Sequence, residues 1–331
     1  MGQTLSEPVT TKESAYCQNE KFRVGSSCMQ GWRVNMEDSH THILSLPDDP
    51  DAAFFAVYDG HGGARVAEYA GKNLHKYVVK RPEYQHDIGL AMQRAFLEID
   101  DVMLYDEAWG EQMAGSTAVT VLIKNNKLFC ANAGDSRAVA CVNGEAQALS
   151  VDHKPNNEAE SKRINDGGGY VEFNRVNGNL ALSRALGDFV FKRNNAKPPQ
   201  DQIVTAFPDI EIREINEDYE FLVLACDGIW DVMTNEEVIE FCRERIAMGL
   251  YPEEICEDLM THCLAPDCQM GGLGGDNMTV VLVCFLHNSK SYDDLVAKIA
   301  AKTKQQQQQQ HQNTSSSTTT DDDNDDDVDL K

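Results

Sequence analysis

Four apolar runs in this chain meet an aspartate beside glycine. Residues 54–58 run into Asp59-Gly60, and residues 128–133 into Gly134-Asp135. Residues 221–226 run into Asp227-Gly228, and Gly275-Asp276 stands just before the run 278–286. Runs this short and apolar, bounded by turn residues, read as buried strands. A carboxylate at such an end is partly desolvated, which is costly without a partner. Any one of the four reads as a strand terminator. Four together, with the cluster Met36-Glu37-Asp38, point to one shared cation site. Carboxylates and a backbone carbonyl are hard donors that suit Mg²⁺ or Mn²⁺, and the cysteines lack zinc spacing.

The rest of the chain sets the architecture. Further strand-like runs occur at 22–29, 41–46, 117–123, 137–142, 145–149, 202–205 and 210–215. Asn125-Asn126 and Asn143-Gly144 sit at tight turns, which make their strands antiparallel. Val66, Ala70, Leu74 and Tyr77 recur at helical spacing, as do Ile88, Ala91, Met92, Ala95, Phe96, Ile99 and Met103. A polar helix is expected over 156–166. Thr234 with Glu237 forms a capping box for a helix to about 248. Pro252 opens another to about 264, and a last amphipathic helix is expected over 291–302. About a dozen strands with helices in pairs, not in βαβ alternation, predict an α+β fold of antiparallel sheets flanked by helices.

The net charge of −25 excludes a basic face for nucleic acid. Seven of the 54 acidic residues fall in 305–331, a Gln/Ser/Thr/Asp-rich tail expected to be disordered. The remainder is itself strongly acidic. The first 21 residues are polar and read as an arm. Its start, Met1-Gly2-Gln3-Thr4-Leu5-Ser6, fits the N-myristoylation pattern; only with that lipid is weak membrane association expected. The ten scattered cysteines, three of them (Cys130, Cys226, Cys284) inside apolar runs, indicate free thiols in a reducing compartment. A cytoplasmic or nuclear monomer is expected.

Seven segments then carry a resemblance. They are residues 31–38 (Gly-Trp-Arg-Val-Asn-Met-Glu-Asp), 57–63 (Val-Tyr-Asp-Gly-His-Gly-Gly), 115–118 (Gly-Ser-Thr-Ala), 134–137 (Gly-Asp-Ser-Arg), 182–188 (Leu-Ser-Arg-Ala-Leu-Gly-Asp), 225–231 (Ala-Cys-Asp-Gly-Ile-Trp-Asp) and 275–279 (Gly-Asp-Asn-Met-Thr). In this order they resemble the motif series of the metal-dependent serine/threonine protein phosphatases of type 2C. The resemblance covers about 22–286 and places a catalytic domain at 22–304. It implies an α/β/β/α sandwich of two packed antiparallel sheets, a two-metal site in the cleft between them, and phosphoserine or phosphothreonine proteins as substrates.

Residue by residue, the resemblance makes Asp59 the carboxylate bridging two metals and Gly60 a carbonyl ligand. Asp227 and Asp276 bind the other metal. Glu37 and Asp38 orient bound waters or bind directly, and Asp135 helps hold a weaker third metal found in some members. Arg33 is the phosphate anchor and His61 the general acid. The residue types suit the chemistry independently. Two divalent cations lower the pKa of a shared water, a guanidinium offers a planar fork to phosphoryl oxygens, and a poor alkoxide leaving group needs a proton.

Plainer readings compete at several positions. Arg33 beside Glu37 and Asp38 could form a structural salt bridge. Arg184 and Asp188 read as a structural pair, Thr117 as packing near the site, and His40 with His42 as one face of a surface strand. Residues 189–208 read as a variable flap where substrate choice would lie, and the Gly-rich loop 271–275 as a departure that could loosen Asp276. Two alternatives remain for function: a catalytically silent regulator of the same fold, and a metal phosphohydrolase acting on small molecules.

Overall fold

A computed structural model describes residues 4–106, 109, 113–267, 272–287 and 291–317, the last thirteen by backbone alone. One sheet orders six strands: β1 (Thr4–Gln18), β2 (Phe22–Arg33), β16 (Met278–Phe285), β15 (Tyr219–Ala225), β9 (Arg137–Val142) and β10 (Glu145–Ala148). A second orders five: β14 (Asp209–Glu214), β8 (Lys127–Ala133), β7 (Ala118–Lys124), β4 (Ala53–Tyr58) and β3 (Ser39–Ile43). A three-stranded sheet sets β6 (Gly115–Ser116) between β5 (Gly60–His61) and β13 (Leu186–Gly187), and β11 (Val171–Glu172) pairs with β12 (Arg175–Val176). Helices α1 (Arg65–Lys80) and α2 (Ile88–Tyr105) cover the second sheet; α5 (Asn235–Ala247), α6 (Pro252–Cys263) and α7 (Tyr292–Ser317) cover the first. The short α3 (Glu158–Asp166) lies in the flap, and α4 (Asp227–Trp230) follows β15.

Strand alternation builds the layers. Along β15, Phe221 and Val223 join the core under the helices, while Leu222 and Leu224 join the core between the sheets. Along β4, Phe54, Ala56 and Tyr58 face α1 and α2, and Phe55 and Val57 face inward. Both faces of these central strands are buried, so they read as continuous apolar runs. The fold is the expected α/β/β/α sandwich. Its first sheet carries three helices where a pair was expected, because Leu295 and Ile299 of α7 share one core with Ile239 of α5 and Leu259 of α6.

Other expectations change. The N-terminal arm is a strand: Lys12 to Gln18 pair in continuous register with β2, and the Asn19 side chain accepts from the backbone N–H of Lys21 and Phe22 at the turn. Its polarity is that of a solvated edge strand. The expected strand 202–205 is a single bridge between Thr205 and Arg184. Residues 305–317, expected to be disordered, continue the backbone of α7; glutamine is a good helix former and no Gly or Pro interrupts the run. Gly2, Gly271 and residues 318–331, with the aspartate run, lie outside the described residues. Every described cysteine is free. Among the described residues, no helix is long and apolar enough to cross a membrane.

Candidate active site

Strand geometry gathers the aspartates at one end of the sandwich. Asp59 follows β4, Asp135 follows β8, Asp227 follows β15 and Asp276 precedes β16. They line a cleft of about 550 Å³ together with Arg33, Glu37, Gly60 and His61. Strands β2 and β16 pair antiparallel with Met29 opposite Met278. Arg33 and Asp276 therefore both lie just past the same end of the ladder, and the guanidinium donates to the Asp276 carboxylate. The rival for Arg33 was a salt bridge with Glu37 or Asp38; its partner is Asp276 instead.

The carboxylates are electrostatically crowded. Burial, then the charges of Asp227, Asp38, Asp276 and Asp135, hold Asp59 well above the ordinary carboxylate range. Burial, then Asp135, Asp276 and Asp231, do the same to Asp227, against the pull of Lys154. Asp38 is not among the lining residues. Its Oδ2 accepts from Thr279 Oγ1 at 2.7 Å, while its buried Oδ1 has no hydrogen-bond partner among the described residues. Burial also pushes Asp38 up. Gly60 is required by close approach, since a Cβ there would collide with the Glu37 carbonyl oxygen.

Among the described residues, Asp38, Asp59 and Cys226 offer ligand atoms within 4.8 Å of one another. The Cys226 sulfur accepts from the Thr279 N–H at 3.2 Å and its S–H faces the Asn277 carbonyl at 3.5 Å; burial pushes the thiol up. It is a neighbour, leaving an oxygen donor set. An orphaned buried carboxylate oxygen and mutually repelling acids fit a hard divalent cation. Asp135 is already engaged, accepting from Lys154 Nζ at 2.5 Å.

Supporting residues complete the picture. Thr117 Oγ1 accepts from the Asp59 N–H at 3.1 Å and meets Ser136 Oγ at 2.7 Å, so it packs beside the site as expected. Asn277 braces the 35–37 loop, donating to the carbonyls of Gln30 and Asn35 and accepting from the Glu37 N–H. His61 Nε2 lies 2.7 Å from Asp188 Oδ2. Burial disfavours the imidazolium, but Asp188 outweighs it and raises the His61 pKa. Sequence reading gave Asn277 and Lys154 no role and paired Asp188 with Arg184 instead of His61. Asp188 and Asn277 stand inside quoted motifs, which was the available signal; Lys154 carried none. Arg184 and Asp188 do not pair: Arg184 binds Glu160 and Asp209. His40 and His42 do share a face, stacked at 5.7 Å, but are half-buried, and burial holds His40 down at about 4.

The flap meets the cleft elsewhere than expected. Arg175 and residues 179–182 line it, not 189–208. The latter segment is tied to itself and to the back of the flap, through Gln202 Nε2 to the Asn194 and Lys197 carbonyls and Asn194 Nδ2 to the Gly167 carbonyl.

The family model for protein phosphatase 2C matches residues 22–270. The chain belongs to the protein phosphatase 2C family. A probable protein phosphatase 2C of Caenorhabditis elegans is 63% identical over 301 residues, covering 91% of this chain and 84% of that protein. Protein phosphatase 2C homolog 3 of Schizosaccharomyces pombe is 52% identical, covering 91% and 74%. The crystal structure of a phosphatase from a pathogenic strain of Toxoplasma gondii aligns with a TM-score of 0.72 at 27% identity, over 85% of this chain and 97% of that one. As a member of this family the chain is a metal-dependent serine/threonine protein phosphatase.

Proposed function

We propose that the cleft hydrolyses phosphoserine and phosphothreonine monoesters in proteins with two Mg²⁺ or Mn²⁺ ions. Asp59, the Gly60 carbonyl, Asp227 and Asp276 would hold them, with Glu37 and Asp38 alongside. The observation that carries the reading is the convergence of Asp59, Asp227 and Asp276 on one cleft that also presents Arg33 and His61. When bound, the cations supply an activated water and neutralise phosphate charge. A weaker third ion at Asp135 would compete with the Lys154 ammonium.

The chain's own residues do the rest. Arg33 binds phosphoryl oxygens; its five donors allow it to keep Asp276 at the same time. Water oxygen bonds to phosphorus as the bond from phosphorus to the serine or threonine oxygen breaks. His61 hands its proton to that oxygen, and alcohol and phosphate leave. Acid catalysis of this kind is worth about 10²–10⁴-fold. The test is phosphate release from a phosphothreonine peptide with Mn²⁺, with EDTA and for Asp59→Asn. Activity that survives EDTA or the substitution overturns the mechanism. Metal-dependent activity on nucleotides but not phosphopeptides overturns the substrate class.

A further inference from the structure

Asp188 belongs to none of the ligand sets above, yet it holds one nitrogen of His61. The two residues are 127 positions apart, and the small sheet brings them together. Gly115 of β6 pairs with His61 of β5 on one side and with Gly187 of β13 on the other. Asp188 is the next residue. A Cβ at Gly115 would overlap both the Asp188 Oδ2 and the His61 Nε2, so only glycine at 115 leaves room for the contact.

The backbone is arranged for the same purpose. Gly187 and Asp188 are both left-handed, with φ of +78° and +51°. A non-glycine residue keeps that conformation where its surroundings over-determine it, and such sites cluster at functional centres. Here the clamp is explicit. The Asp188 N–H donates to the Ala114 carbonyl at 2.9 Å. The buried Asp100 carboxylate accepts from the Gly187 N–H at 2.7 Å and from Lys192 Nζ at 2.6 Å, and Lys192 also donates to the Ala185 carbonyl. Anchors thus stand on both sides of Asp188. Its side chain is only 5% exposed, against 27% for His61. A buried, anchored carboxylate therefore meets a more exposed, cleft-lining imidazole.

We propose that Asp188 is a positioning residue that fixes the His61 ring through Nε2, so that the proton given to the leaving oxygen departs from Nδ1. The inference rests on His61 being the general acid. Proton accounting is simple. The acid form carries both N–H groups, the Nδ1 proton passes to the serine or threonine oxygen, and the Nε2 proton stays on the ring, donated as a hydrogen bond to the Asp188 carboxylate. The carboxylate itself is unchanged.

The experiment compares kcat and KM of the full chain with Mn²⁺ on a phosphothreonine peptide and on p-nitrophenyl phosphate, whose phenolate needs little proton help to leave. His61→Gln tests the underlying reading, and Asp188→Asn tests the inference. Misplacement of a catalytic group by about 1 Å can cost about 10²-fold. The expected result for Asp188→Asn is a fall in kcat on the peptide that exceeds the fall on p-nitrophenyl phosphate by about tenfold or more, with KM little moved. The double variant should be no slower than His61→Gln. If His61→Gln falls equally on both substrates, the general-acid reading fails. If His61→Gln discriminates and Asp188→Asn does not, Asp188 is merely structural and the inference fails. A readout independent of activity covers the case in which Asp188→Asn does not fold. Long-range ¹H–¹⁵N correlation on the unsubstituted chain should find the neutral His61 ring protonated at Nε2; protonation at Nδ1 overturns the assignment.

Discussion

Two groups of acids in this molecule have opposite surroundings. In the catalytic cleft, Asp59 and Asp227 face other carboxylates and are held above their ordinary range. In the flap, Glu160 faces two guanidiniums. Its Oε2 accepts from Arg163 and from Ser183 Oγ, each at 2.6 Å, and its Oε1 from Arg184 at 2.7 Å. Burial alone would raise Glu160, but these partners hold it down at about 2. Arg184 also reaches Asp209, whose other oxygen meets His153 Nε2 at 3.0 Å. Buried acids whose charges are answered by the chain serve the fold. Buried acids whose charges are not answered must be answered by a ligand. The difference lies in the neighbours, since the residue types are the same.

The largest effect that would sharpen this contrast is at Asp59. Asp59→Asn should lower phosphatase activity by about 10²–10³-fold, read as phosphate release with saturating Mn²⁺. In EDTA the same variant should melt about 2–4 °C higher than the parent, because one repelling charge is gone. A variant that melts lower in EDTA would break the comparison. Glu160→Gln should do the reverse. It removes the carboxylate that answers the largely buried Arg163 and leaves Arg184 with the exposed Asp209, and should destabilise by about 3–5 kcal/mol, measured by denaturant unfolding.

Acid titration is the next test. Glu160 has its pKa lowered by folding, so its contribution is fully present above the ordinary glutamate value of about 4.3 and is lost as pH falls toward 2. Subtracting the Glu160→Gln profile from the parent should show a difference that is flat above about pH 5 and shrinks below it. A difference independent of pH would mean the ion pairs are not what Glu160 contributes. The smallest effect is expected at Lys154. Removing its ammonium by Lys154→Met frees Asp135 and should tighten the weakest Mn²⁺ binding step by a few-fold, about 1 kcal/mol, in calorimetry. Weaker binding would show that Lys154 positions Asp135 rather than competing at it.

Much of the site was legible in the chain because its acids end strands. A carboxylate at the last residue of a buried run is visible in a one-dimensional pattern, and Asp59, Asp135, Asp227 and Asp276 all reach one cleft. The edge strand β1 was not legible, since a polar strand paired on one side has the composition of an arm. The flap was legible only in part. Its small core of Ile164, Val176, Leu182, Ala185 and Val204 is scattered over forty residues with no period to follow.

By itself, the pattern of residues determined antiparallel sheets flanked by helices and the acids that end their strands, because apolar runs and strand-ending aspartates are local properties; the sandwich came only with the family resemblance. Which charges are answered was decided by tertiary structure alone. Arg33 meets Asp276 across a gap of 243 residues, Arg184 meets Glu160 across 24, and His61 meets Asp188 across 127. Electrostatic pairing depends on distances of a few ångströms, and only the register of the sheets and the fold of the flap set those.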